Sequence, residues 1–255
     1  MYPPVIGTAR TMFRVLGLQI TVTGGEQVPR TGAAVLACNH VSYLDFIFCG
    51  LAGVDRKRLT RFMAKQEVFS HPVAGPLMRG MHHIPVDRSA GAASFAAATT
   101  ALRSGEVVGV FPEATISRSF RVKEIKSGAV RLAQETGAPL VPVAVWGGQR
   151  LLTKDLPHDF RTRGRPITIA LGAPVAAPAD EDPAGLTARL HEAMQDLLEH
   201  TQKTHPDQPA PGEDAPWYPR HLGGTAPTPE RARELDAAEK AAPAAKRRAR
   251  RQKSR

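Results

Sequence analysis

The chain has 255 residues, 42% of them hydrophobic, and a formal net charge of +10. That size supports one sizeable domain with its own core, and two cysteines exclude a disulfide scaffold. The positive excess, with a pI of about 10.1, points to an anionic partner: nucleic acid, a membrane surface or a phosphorylated substrate.

After Pro3-Pro4, the residues Val5, Ile6, Ala9, Phe13 and Leu16 recur at helical spacing, with Met12 on the same side and Arg10 and Arg14 off the stripe. Residues 1–17 therefore read as an amphipathic helix, which either lies in a membrane interface or packs on its own domain. The two arginines interrupt the apolar stretch. The segment reads neither as a secretory leader nor as a spanning helix, which needs about 20 apolar residues. Together with the free cysteines, this leads us to expect a chain kept in the cytoplasm.

Strands are expected at 18–23 (LQITVT), 34–38 (AVLAC), 60–65, 83–86, 106–111 (EVVGVF), 140–145 (LVPVAV) and 167–172 (ITIALG). Helices are expected from Asp45, over 72–81, over 89–103 with Ser89 as cap, over 128–136 with Gly137 closing it, and over 183–203. This alternation predicts a single α/β domain over 18–204, a mixed and largely parallel sheet flanked by helices and preceded by the N-terminal amphipathic helix. From 205 to 255, Pro, Gly, Ala and charge dominate, and a disordered tail is expected, with Trp217, Tyr218 and Leu222 as its candidate anchors. In its last ten residues, 246–255, every residue except Ala249, Gln252 and Ser254 is basic. Such an end either solubilises the chain or contacts an anionic lipid or nucleic acid.

The segment Asn39-His40-Val41-Ser42-Tyr43-Leu44-Asp45 carries the chemistry. Five residues along an α-helix rotate a side chain by about 140°, so His40 and Asp45 can meet only if a loop turns back between them. The end of a strand entering a helix is such a place, and α/β sheets put their ligands there. An imidazole held by a carboxylate at one nitrogen can take a proton from a hydroxyl at the other. Adjacent His82 and His83 would face opposite sides of a strand, so no metal site is expected. Cys38 reads as buried strand filling and Met12, Met78 and Met81 as apolar filling.

Three further blocks follow: Gly80-Met81-His82-His83-Ile84-Pro85-Val86-Asp87-Arg88, then Val110-Phe111-Pro112-Glu113-Ala114-Thr115-Ile116-Ser117, then Leu140-Val141-Pro142-Val143-Ala144-Val145. With the His-Asp pair they resemble, in order and spacing over about 20–200, the glycerolipid acyltransferase family, specifically the 1-acylglycerol-3-phosphate acyltransferases. The resemblance implies that His40 deprotonates an acceptor hydroxyl while Asp45 orients it. The acyl chain would come from acyl-CoA or acyl carrier protein as co-substrate, with no cofactor and no covalent acyl-enzyme. It further implies that Arg88 and Glu113 hold the acceptor, with Thr115, Ser117, Arg118 and Lys126 nearby. The expected setting is the inner face of the cell membrane, bound peripherally to an anionic lipid surface. Nucleic acid is not the expected partner, because aromatic residues are not interleaved with the basic ones.

The third block departs from the family pattern FPEGTRS. Ala114 stands where a glycine is expected, which restricts the backbone if φ must be positive. Ile116 stands where the family has an arginine for the acceptor phosphate. Either Arg118, Arg121 or Lys126 supplies the missing charge, or the acceptor is not lysophosphatidate.

Overall fold

In the computed structural model, residues 2–87 and 91–253 are described, with side chains over 5–87 and 91–242. The strands are β1 (Gln19–Thr23), β2 (Ala34–Cys38), β3 (Thr60–Lys65), β4 (Ile84–Val86), β5 (Val107–Val110), β6 (Leu140–Trp146) and β7 (Pro166–Leu171). They form one sheet in the order β1-β7-β6-β2-β5-β3-β4. Only the β6–β7 pairing is antiparallel; the other five are parallel. The helices are α1 (Tyr2–Leu16), α2 (Asp45–Cys49), α3 (Gln66–Phe69), α4 (Ala74–Gly80), α5 (Gly91–Arg103), α6 (Gly128–Thr136), α7 (Pro183–Thr204) and α8 (Pro229–Lys253). The expected mixed, largely parallel sheet is thus present. The expected cap Ser89 lies outside the described residues.

Because side chains alternate across a strand, each central strand feeds two cores. Val35 and Ala37 of β2 join Leu140, Ala144 and Trp146 of β6 under α5, α6 and α7. Ala34, Leu36 and Cys38 join Val141, Val143 and Val145 on the other face, under α1 and α2. The sheet is therefore buried on both faces, as its unbroken apolar runs require. Gly109 in β5 is needed for space: a Cβ there would lie 2.4 Å from the Phe62 ring.

The stripe on α1 packs inward except at Met12, which is exposed rather than the apolar filling expected, because it turns away from the Phe13 side of the helix. Phe13 is buried and stacks on Phe48 with ring centroids 5.6 Å apart. Val5 lies against the cluster of Phe69, Met78 and Met81. Among the described residues no helix is long and apolar enough to cross a membrane.

The segment after 204 differs from the disordered tail expected from its composition. Trp217 and Tyr218 are buried, and the Arg150 guanidinium sits 3.7 Å from the centroid of the Trp217 ring. Tyr218 meets Trp146 edge-on and donates its hydroxyl to Gln208 at 2.7 Å. A Cβ on Gly224 would lie 2.0 Å from the Tyr218 carbonyl, so the chain closes tightly around this ring. A few aromatic anchors supply burial that averaged composition does not register. Leu222 packs at the edge of the same core, and α8 follows.

Candidate active site

The loop between β2 and α2 is fixed before any side chain in it can react. Asn39 extends the β2–β6 ladder by one rung. Its side-chain Nδ2 donates to the Val145 carbonyl (3.1 Å), and its side-chain Oδ1 accepts from the Val145 N–H (2.7 Å). Ser42 donates to the Leu152 carbonyl (2.7 Å) and accepts from Leu44 N–H (3.1 Å). Thr153 donates to the Val41 carbonyl at 2.6 Å.

Within this frame the chain turns back, as the five-residue spacing demands. Asp45 opens α2, fully buried, and its Oδ2 accepts from the backbone N–H groups of Val41 and Ser42, both at 2.7 Å. The same oxygen lies 3.0 Å from His40 Nδ1. Burial pushes the Asp45 carboxyl above its ordinary range, and the bonds to His40, Ser42 and Val41 pull it back. The His40 side chain is 22% exposed, so the ring is anchored at Nδ1 yet open to a ligand. It lies against Phe111 (4.6 Å), which stacks on Phe62 (5.8 Å). One wall beside the imidazole is therefore apolar.

The loop after β5, which neighbours β2, braces His40 from behind. Glu113 is buried, and its two carboxylate oxygens accept from His40 N–H (2.8 Å) and Lys123 N–H (2.9 Å). Burial pushes its carboxyl up to about 8 despite those bonds. Ser117 N–H donates to the His40 carbonyl at 2.7 Å. Both main-chain polar groups of His40 are thus held by the FPEATIS segment. Ala114 adopts φ of +61°, the left-handed conformation for which a glycine would be easier.

These contacts redistribute the roles expected for the third block. Glu113 was expected to hold the acceptor; both its oxygens are instead engaged by backbone, which makes it a brace. Ser117 is buried and donates to the Arg121 carbonyl at 2.6 Å. Arg118 is buried and ion-pairs with Asp155, with Asp236 and with Glu239 (3.0 Å), the last two on α8. Thr115 accepts from Lys123 Nζ at 2.7 Å. Ile116 is buried and adds no polar group. Lys126 is exposed. Arg88 lies outside the described residues. His40, Asp45, Glu113 and Ser117 are brought together; Arg118 is turned toward α8.

Lys123, Lys154 and Asp236 were missed from sequence because their meeting depends on where α8 docks. Asn39 and Ser42 were legible as part of the motif, but their roles appear only with the β6 side of the sheet in place. Cys38 is buried strand filling, as expected, and burial pushes the neighbouring Cys49 thiol well up. His82 is exposed with φ of +56°, and buried His83 accepts from Phe62 N–H at its Nδ1 (3.0 Å). Among the described residues no group of His, Cys, Asp and Glu could hold a metal ion.

The 1-acyl-sn-glycerol-3-phosphate acyltransferase of Bacillus subtilis (strain 168) is 32% identical over 70% of this chain and 87% of its own length. The enzyme of the same name from Cocos nucifera is 28% identical over 77% of this chain and 63% of its own. In fold, the chain resembles the crystal structure of the 1-acyl-sn-glycerophosphate (LPA) acyltransferase PlsC from Thermotoga maritima, with a TM-score of 0.65, 22% identity and 81% of both chains covered. The Acyltransferase family model matches residues 19–146, the stretch that holds β1 to β6 and His40, Asp45 and Glu113; the chain belongs to the acyltransferase family.

Proposed function

We propose that this acyltransferase moves a fatty acyl chain from acyl-CoA or acyl carrier protein to the free hydroxyl of 1-acylglycerol-3-phosphate, with His40 as general base. The observation that carries the reading is the His40 ring, bonded through Nδ1 to buried Asp45 and open at its other edge. With Nδ1–H donated to Asp45, Nε2 keeps its lone pair and can take the acceptor proton. The acceptor oxygen then attacks the thioester carbonyl and forms the new C–O bond. Collapse breaks the C–S bond, and the proton on Nε2 leaves with the thiol. Asp45 stabilises the transient imidazolium. No protein nucleophile takes part, in keeping with the burial of Cys38. No cofactor is needed beyond the acyl donor.

A membrane-surface setting is supported by large apolar side chains left in solvent. Tyr43 and Phe46, shortly after His40 in the chain, are exposed. Met12 and Val15 on α1, Val68 on α3, and Val73 and Leu77 on α4 are also exposed. Arg10 and Arg14 are exposed on α1. Exposed apolar groups together with arginines suit the interface of an anionic bilayer, and we place the enzyme on the inner face of the cell membrane.

A second reading keeps the chemistry and changes the acceptor to another lysophospholipid or lipid. It is favoured by Ile116, whose burial leaves the family's arginine position without charge. Thiol release from a long-chain acyl-CoA or acyl carrier protein, with lysophosphatidate and with a panel of other lysophospholipids, separates the two. Release that requires lysophosphatidate is the expected result. Release with another acceptor alone would replace the first reading by the second, and no release with any acceptor would overturn both.

A further inference from the structure

The loop that braces His40 also carries a cation cluster answered by α8. Lys123 Nζ bonds Thr115 Oγ at 2.7 Å, and Lys123 N–H is on Glu113, which holds His40. The same Nζ pairs with Asp236. Arg118 Nη1 pairs with Asp236 as well, and Lys154 Nζ lies 4.0 Å from it. Asp155 and Glu239 complete the set, Glu239 at 2.7 Å from Lys154. Three cations thus face three carboxylates. Asp236 sits at their centre with its side chain only 12% exposed, whereas those of Asp155 and Glu239 are more than half exposed. An arginine and two lysines converging on one pair of oxygens is the arrangement that binds a phosphate, and here a carboxylate of the same chain fills it.

We propose that Arg118, Lys123 and Lys154 form a site for the phosphate monoester of the acceptor, and that Asp236 is its internal competitor and so sets acceptor selectivity. This rests on the proposed acyl transfer for its kinetic consequence, though not for binding itself. A doubly charged phosphate monoester displaces Asp236 from the cations; a headgroup of lower charge competes less well. Ile116 is then tolerated because the charge missing from its position is supplied across the loop and from Lys154. Asp236 touches no reacting atom and acts by holding the cations.

The test is Asp236→Asn, with Glu239→Gln as a partner whose exposed side chain can be changed with little risk to folding. Binding of sn-glycerol 3-phosphate and of uncharged glycerol is measured by calorimetry at low salt, and KM for lysophosphatidate is measured beside it. The expected result is about tenfold tighter glycerol 3-phosphate binding in Asp236→Asn, the equivalent of about 1.4 kcal/mol. A smaller gain is expected in Glu239→Gln, with KM for lysophosphatidate falling in both variants and glycerol binding unaltered. A merely structural role would lower the melting temperature and kcat without tightening the phosphate. Unchanged or weaker glycerol 3-phosphate binding in both variants would overturn the inference. Wild type that binds glycerol 3-phosphate in this pattern but releases no thiol would overturn the acyl-transfer reading and leave this one standing.

Discussion

Two loops leave neighbouring parallel strands at their C-terminal ends and use their polar groups in opposite ways. After β2, the buried groups all serve to present one ring outward: Asn39 extends the ladder, Asp45 takes three N–H donors, and His40 keeps an open edge. After β5, the charges turn back on the protein: Glu113 holds His40 and Lys123 by their backbones, and Arg118 is paired with Asp155 and α8. The difference teaches that a motif's residue types do not fix its role. A carboxylate in the first loop orients an imidazole, and one in the second braces the backbone of the same histidine. Nor does sequence show which carboxylates an arginine meets, as Arg118 meets Asp155, Asp236 and Glu239.

Substitutions can break this contrast at either loop. In Asp45→Asn, the side-chain oxygen keeps the Val41, Ser42 and His40 donors, but the negative charge that would stabilise the imidazolium is lost. Turnover should fall by about 10²–10⁴-fold with the fold retained, as measured by thiol release beside circular dichroism. A mild loss would mean that Asp45 only supports the loop. In Glu113→Gln, one backbone N–H loses its acceptor and His40 shifts; turnover should fall about tenfold. The effect is on positioning, so the pH optimum should stay where it is.

The same residue sharpens the comparison through pH. Glu113 is raised to about 8 in the folded chain from the ordinary 4.5, so the folded state binds more protons between those values and its stability falls as pH rises through them. Buried His83 and His205 are lowered to about 4, so the folded state binds fewer protons than the unfolded between 4 and 6.5, and their effect is a loss as pH falls. Between pH 6.5 and 8 the Glu113 effect stands apart from those two. Wild-type melting temperature should decline across that window, and Glu113→Gln should flatten the decline.

Smaller effects are expected further out. Arg118→Met leaves largely buried Asp236 to the two lysines and should cost about 2 kcal/mol, read as a drop of about 5 °C in the thermal midpoint. No change would mean that α8 is held by other contacts. Deleting 246–255 should weaken binding to anionic vesicles and leave turnover in detergent intact, because each basic residue near such a surface contributes about 1 kcal/mol. Unchanged vesicle binding would give that segment another role.

Much of the fold was legible because its signals are local. Apolar runs bounded by glycine marked the strands, and the interior of β2 reads as a core directly from AVLAC. The His40–Asp45 meeting was legible because a five-residue offset admits only a turned loop. What remained hidden depends on distant docking. Trp217 and Tyr218 find Arg150 and Trp146, and Asp236 finds Arg118 more than a hundred residues away, and no spacing rule encodes either meeting. The tail read as disordered for the same reason.

The central claim is that the open edge of His40, oriented by Asp45, removes the acceptor's proton. The direct test is the rate of acceptor-dependent thiol release by His40→Ala beside wild type, both checked for the same melting temperature. The account predicts a fall of about 10²–10⁴-fold with KM for the acyl donor little changed. Near wild-type turnover in a folded His40→Ala protein would contradict it.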